Sequence, residues 1–135
     1  MTRVKICGIT SLDDALACVD LGVDTLGINF WSGTKRRCEF DVAVRIAERV
    51  RDRVELVGVF VDAPLAEVRE TLRLTGIPWA QLHGDESPNE VRELLPRAYK
   101  AVSVSGVDPL AETRRFPGEH VLLDAFVPGG MPGGT

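Results

Sequence analysis

Short apolar runs alternate along the chain with stretches in which apolar residues recur every three to four positions. The runs at 4–8, 25–30, 55–61, 79–83, 99–104 and 120–127 are rich in Val, Ile and Leu and lack a clean polar alternation. That pattern predicts strands buried on both faces, as in a parallel sheet covered by helices. The segments between them read as helices. Ser11 caps the first, with Asp14 three residues on and Ala15, Leu16 and Val19 at helical spacing, and Gly22 ends it. Asp41 is the expected cap of the second, with Val42, Ile46 and Val50 on one face. Pro64 sits near the first turn of the third, whose apolar face is Leu65, Val68 and Leu72. Ser87-Pro88 opens a fourth that ends before Pro96, and a short fifth covers 108–115.

Six strands with five helices between them, about 22 residues per unit, form an α/β repeat. Two parallel architectures fit. An open doubly wound sheet closes within 135 residues and gathers its polar groups at one switch point. A TIM-type (β/α)8 barrel places polar groups at the C-terminal end of nearly every strand, but a complete one needs at least about 200 residues. Here polar or reactive residues lie near the C-terminal ends of strands one to four and six: Cys7, Asn29, Asp62, Gln81 with His83, and Asp124. This distribution favours the barrel, truncated to about six parallel strands, with 1–135 as a single partial-barrel domain. The doubly wound sheet stays open as the alternative.

Composition narrows the function. With 44% hydrophobic and 27% charged residues the chain is an ordinary globular domain, not a disordered or collagen-like one. No apolar run approaches a membrane span, and the first residues run straight into strand-like sequence, so neither membrane nor signal peptide is expected. The net charge of -4 speaks against nucleic acid, and the one basic run, Lys35-Arg36-Arg37, suits a small anion. Three cysteines without a C-x-x-C spacing fit a reduced, cytoplasmic compartment. No G-x-G-x-x-G or P-loop pattern is present.

A few residues could carry chemistry. Cys7 lies where an apolar strand meets Gly8. A thiol is mostly protonated at neutral pH, so a catalytic role needs a local cation, and Lys5 shares its strand face. By residue type alone a buried structural cysteine is the commoner case for Cys7. Asp124 interrupts Leu122-Leu123 and Ala125-Phe126. An acid there must be paired, protonated or exposed at the strand end, and a protonated one is a general acid. Cys7 and Asp124 stand on the first and sixth strands, so they can meet only if the sheet curls. Arg36 can fork onto a carboxylate or phosphate, or belong to a solvated basic loop. His83-Gly84-Asp85-Glu86 resembles metal-ligand material, but adjacent ligands without a second cluster make a poor zinc site. His83 reads better as a hydrogen-bonding residue of the site wall.

Several segments resemble, in order, the phosphoribosylanthranilate isomerase family of tryptophan biosynthesis. They are Val4-Lys5-Ile6-Cys7-Gly8-Ile9-Thr10, then Gly27-Ile28-Asn29-Phe30-Trp31 with Thr34-Lys35-Arg36, then Val57-Gly58-Val59-Phe60-Val61-Asp62. Gln81-Leu82-His83-Gly84-Asp85-Glu86, Leu122-Leu123-Asp124-Ala125 and Gly133-Gly134-Thr135 complete the set. The resemblance implies a (β/α)8 barrel and an Amadori rearrangement without metal or organic cofactor. The substrate would be a phosphosugar, N-(5-phosphoribosyl)anthranilate, with neither nucleic acid nor membrane as partner. Cys7 matches the family's general base, Asp124 its general acid, and Arg36 the residue near the anthranilate carboxylate. Gln81 and His83 match the site wall. The family holds the phosphate with loops after strands seven and eight, so no phosphate-binding residue is expected within 1–135. The sequence stops in the loop after strand six, and its open sheet edges offer self-association. The alternative to a catalytic chain is a truncated fragment that self-associates or needs a complementing segment.

Overall fold

A computed structural model describes residues 1–105, 108–126 and 128–129. Strand and helix alternate without exception: β1 (Lys5–Cys7), α1 (Leu12–Asp20), β2 (Thr25–Asn29), α2 (Phe40–Val50), β3 (Glu55–Phe60), α3 (Leu65–Thr75), β4 (Trp79–Leu82), α4 (Pro88–Leu94), β5 (Ala98–Val104), α5 (Pro109–Arg114) and β6 (Val121–Ala125). The six strands form one sheet in sequential order, β1-β2-β3-β4-β5-β6, every pair parallel. A doubly wound sheet reverses its strand order at a switch point. This one never does, so the chain winds in one direction, as in a barrel.

The termini of the elements follow local chemistry. The Ser11 side chain accepts from the Asp14 amide at the start of α1. Ser87 and Glu90 form a reciprocal capping box on α4, with Pro88 in its first turn. The expected cap of α2 is corrected. Glu39 holds the cap position without a side-chain bond, and Asp41 falls inside the first turn, where its charge still suits the positive end of the helix. Apart from β5, which begins one residue before its run, the strands are a residue or more shorter than the apolar runs. His83, for example, lies just past β4, although its amide still bonds Phe60 O at 2.8 Å. The end of the sixth run, at 127, and the tail at 130–135 lie outside the described residues.

The sheet's two faces divide the work. On β2 and β3, Leu26, Ile28, Leu56 and Phe60 point outward. They pack with Ala15 and Val19 of α1, Ala43, Ile46, Ala47 and Val50 of α2 and Val68 of α3, in two adjoining clusters. Phe30 touches both clusters and stacks on Phe60 at 5.4 Å between ring centroids. Because strand side chains alternate, the intervening positions face the concave side. There, beside the buried Val57 and Val59, the sheet collects Lys5, Cys7, Gln81, Tyr99 and Asp124.

Candidate functional site

The concave face carries a continuous hydrogen-bonded path from the first strand to the last. Lys5 Nζ on β1 donates to Gln81 Oε1 on β4, and Tyr99 OH on β5 donates to the same oxygen at 3.0 Å. Gln81 Nε2 lies 2.7 Å from His83 Nδ1. His83 Nε2 lies 2.9 Å from Asp124 Oδ2 on β6. In a flat sheet the first and sixth strands would stand about 24 Å apart. Four side chains joined by three hydrogen bonds bridge them here, so the sheet is curled into a partial barrel. Gln81 is fully buried, and the His83 side chain is only 10% exposed against 27% for Asp124. The path therefore leads from a half-buried ammonium through a buried amide to a partly exposed carboxylate.

Cys7 stands on the same face, two residues from Lys5. Its neighbour across the ladder is Gly27. A Cβ on Gly27 would come within 2.6 Å of Cys7 Sγ, so only glycine leaves the thiol its place. Lys5 is the expected electrostatic partner of Cys7, and its hydrogen bond goes to Gln81. Burial pushes the Lys5 ammonium below its ordinary value, while the nearby Cys7 pulls it up. Burial raises the Tyr99 phenol, and Cys7 and Glu55 add to that rise. Lys5, Cys7 and Tyr99 thus lie within one electrostatic neighbourhood.

Arg36 reaches the same end of the barrel from the loop between β2 and α2. Two backbone contacts fold that loop back along β2: a bridge between Asn29 and Arg37 and the Cys38 amide donating to Asn29 O at 2.8 Å. Its side chain then lies over Gly8, whose φ is +86°. A Cβ there would stand 2.9 Å from Arg36 Cδ. Gly8 therefore serves twice, turning the chain after β1 and seating the guanidinium beside the end of the strand that carries Cys7.

Residues 83–86 take a role of another kind. The buried Glu86 carboxylate accepts from Gly84 N at 2.7 Å and Asp62 N at 2.9 Å. Asp62 in turn accepts from Asp85 N at 2.7 Å. Lys100 is buried on the outer face of β5, 3.5 Å from Glu86, and donates to the Gly84 and Ala101 carbonyls. This cluster clamps the loops after β3 and β4 together, directly behind His83. Among the described residues no cluster of His, Cys, Asp and Glu could hold a metal ion.

The structure brings Cys7, Gln81, His83 and Asp124 to one concave surface and Arg36 to its rim. In the sequence Glu86 stands out only as part of the stretch 83–86, and Tyr99 and Lys100 carry no motif. The one available signal is period-two placement: Tyr99 is separated by one residue from the buried Ala101 of the same strand. Lys100 interrupts an apolar strand in the same way as Asp124 does.

Comparison with known proteins agrees with this geometry. A model of the N-(5'phosphoribosyl)anthranilate (PRA) isomerase family matches residues 4–135. The N-(5'-phosphoribosyl)anthranilate isomerase of Geobacter sp. (strain M21) is 42% identical over 135 residues, which is all of this chain and 66% of its own length. The crystal structure of phosphoribosyl anthranilate isomerase from Thermotoga maritima is similar with a TM-score of 0.86 at 36% identity, over 97% of this chain and 66% of that one. A phosphoribosyl anthranilate isomerase in complex with reduced 1-(o-carboxyphenylamino)-1-deoxyribulose 5-phosphate is similar with a TM-score of 0.84 at 37% identity, over 93% of this chain and 66% of that one. The chain spans about two thirds of the length of the curated relatives it matches. The winding of the sheet, the residues gathered on its concave face and a match running from residue 4 to residue 135 agree: this chain belongs to the N-(5'-phosphoribosyl)anthranilate isomerase family.

Proposed function

We propose that this chain carries the acid–base half of an isomerase that converts N-(5-phosphoribosyl)anthranilate to 1-(2-carboxyphenylamino)-1-deoxyribulose 5-phosphate in tryptophan biosynthesis, in the cytoplasm. The observation that carries the reading is the path from β1 to β6. It spans the concave face on which Cys7 and Asp124 both stand, and an Amadori rearrangement needs a base and an acid at the same pH. Asp124 protonates the ribose ring oxygen, the bond from that oxygen to C1′ breaks, and the anthranilate nitrogen supplies the electrons to form an iminium. The Cys7 thiolate removes the C2′ proton, and the electron pair of that bond forms the C1′–C2′ double bond of an enolamine. Loss of the C2′ hydroxyl proton and protonation at C1′ give the ketone. Arg36 receives the anthranilate carboxylate, and Gln81 and His83 form the wall. That a relative is known in complex with the reduced product supports this substrate class. No residue within 1–135 is assigned to the phosphate.

The test uses the chain alone and joined to the final third of the Geobacter relative. The reduced product should bind, and turnover in the joined barrel should fall at least about 100-fold in Cys7→Ala and in Asp124→Asn with the circular dichroism unchanged. Near-normal turnover in either variant removes the assigned roles.

A second reading concerns the sheet edges. Val4 and Ile6 at β1 are 48% and 38% exposed, and Leu123 and Phe126 at β6 are 54% and 54% exposed. With 1–135 forming one partial-barrel domain, unpaired strands flanked by apolar side chains favour association between copies. Sedimentation velocity should show mass rising with concentration. A compact monomer throughout would rule this out.

A further inference from the structure

We propose that Lys5 is a positioning residue. With Tyr99 as a second donor to the same oxygen, it fixes the Gln81 amide and, through it, locks His83 in a single neutral tautomer whose Nε2–H is presented to Asp124. The inference deepens the isomerase reading and rests on it for its catalytic meaning. Its structural content stands on four contacts.

An ammonium group can only donate hydrogen bonds. Lys5 Nζ bonds one end of the Gln81 side chain, so that end is the oxygen. The Tyr99 hydroxyl meets the same atom at 3.0 Å, consistent with an oxygen accepting twice. The other end is then the NH2 group, which can only donate. It lies 2.7 Å from His83 Nδ1, so Nδ1 accepts and bears no proton. The remaining ring proton is on Nε2, 2.9 Å from Asp124 Oδ2. Each assignment forces the next, and the first is forced by a residue that has no acceptor to offer.

Two consequences follow for the reaction. His83 acts as a fixed donor and not as a proton relay, because a proton on Nδ1 would meet the Gln81 NH2 group. Turning that amide to accept it would place NH2 against the Lys5 ammonium. With Oδ2 accepting from His83, the imidazole fixes the orientation of the Asp124 carboxyl. A lysine two residues from the thiol therefore acts through the far side of the cavity, by setting the orientation of the carboxyl.

The test is nitrogen-15 spectroscopy of the imidazoles in the full 135-residue chain. Only two histidines are present, and His120→Gln assigns them. His83 should show an unprotonated Nδ1 and a protonated Nε2. Gln81→Glu replaces the NH2 donor with an acceptor and should move a proton onto Nδ1. Lys5→Met should give a mixture of tautomers, Lys5→Arg should restore the wild-type spectrum, and Tyr99→Phe should leave the tautomer unchanged while Lys5 remains. The proposal is overturned if wild-type His83 carries its proton on Nδ1, or if folded Gln81→Glu keeps the wild-type tautomer. It is equally overturned if Lys5→Met, judged folded by its amide spectrum, leaves the tautomer as it was. If Lys5→Met does not fold, Gln81→Glu and Lys5→Arg decide the matter. Because the readout needs no substrate, a correct tautomer beside a joined barrel without turnover would count against the isomerase reading and leave this assignment standing.

Discussion

Lys5 and Gln81 share a hydrogen bond although three strand spacings separate β1 from β4. In a flat sheet those strands would lie about 14 Å apart, beyond the combined reach of the two side chains. The bond therefore measures curvature, and the same curvature brings Asp124 round to His83. Fold and candidate chemistry are one geometric fact: straighten the sheet and the concave residues separate.

That dependence is measurable in the contact between His83 and Asp124, which are 41 residues apart and separated by β5. A double-mutant cycle on His83→Ala and Asp124→Ala, read by urea denaturation, should return a coupling of about 1 kcal/mol, typical of a hydrogen bond with a partly exposed partner. A coupling indistinguishable from zero would mean that the curl bringing β6 round to the end of β4 is not kept in solution.

Gly27→Ala probes the seat of the thiol. The added methyl would stand 2.6 Å from Cys7 Sγ and 3.2 Å from Cys7 Cα, so either the thiol turns away or β1 and β2 part. Overpacking of this kind costs about 1–3 kcal/mol, visible as a lower denaturation midpoint. The alkylation rate of Cys7 should change with it. A variant with both quantities unaltered would show that the thiol does not occupy the space over Gly27.

Much of this architecture is legible in the chain, and the reasons differ by feature. The six strands announce themselves because a sheet buried on both faces needs uninterrupted Val, Ile and Leu. The caps at Ser11 and Ser87 follow from short side chains bonding amides three residues on. The cap of α2 is misread as Asp41 because an acid in a first turn and an acid at a cap look alike in sequence, while Glu39 caps without a side-chain bond. Cys7, Asp124, Arg36, Gln81 and His83 stand out by strand-end position and by family resemblance. Tyr99 and Lys100 do not, and Glu86 does so only within a metal-like stretch, because their roles exist only between elements. Whether Tyr99 meets Gln81, or Lys100 meets Glu86, depends on strand register, which no local pattern encodes.

The clamp behind His83 predicts an asymmetry between its two charged members. Glu86 satisfies two loop amides as well as facing Lys100. Glu86→Leu therefore strips both amides and leaves a buried ammonium, and should cost about 3–5 kcal/mol. Lys100→Met leaves the carboxylate its two amide bonds and should cost about 1–3 kcal/mol. Urea midpoints give the ranking directly. If Lys100→Met proves the more damaging, the carboxylate depends on its cation and not on the loop amides.

Cys38 predicts how stability changes under alkaline conditions. It is buried against α2, at 1% exposure. Burial, assisted by the charges of Glu39 and Asp41, pushes its thiol from an ordinary 9.0 to about 11. Below pH 9 the thiol is protonated whether the chain is folded or not, so it contributes nothing to the pH dependence. Between pH 9 and 11 the unfolded chain releases the proton while the native chain keeps it. The unfolded state then binds fewer protons, and stability falls as pH rises through this window, by about 2–3 kcal/mol in total. The raised Tyr99 phenol acts with the same sign at higher pH, so the informative comparison is with Cys38→Ala and not with the absolute curve. Removing the side chain costs a constant amount at neutral pH through the lost packing. It should flatten the alkaline slope, so that the wild-type and variant curves converge between pH 9 and 11. Urea denaturation at pH 7, 9, 10 and 11 measures that convergence. Parallel curves across the window would show that the Cys38 thiol ionises as readily in the native chain as in the unfolded one.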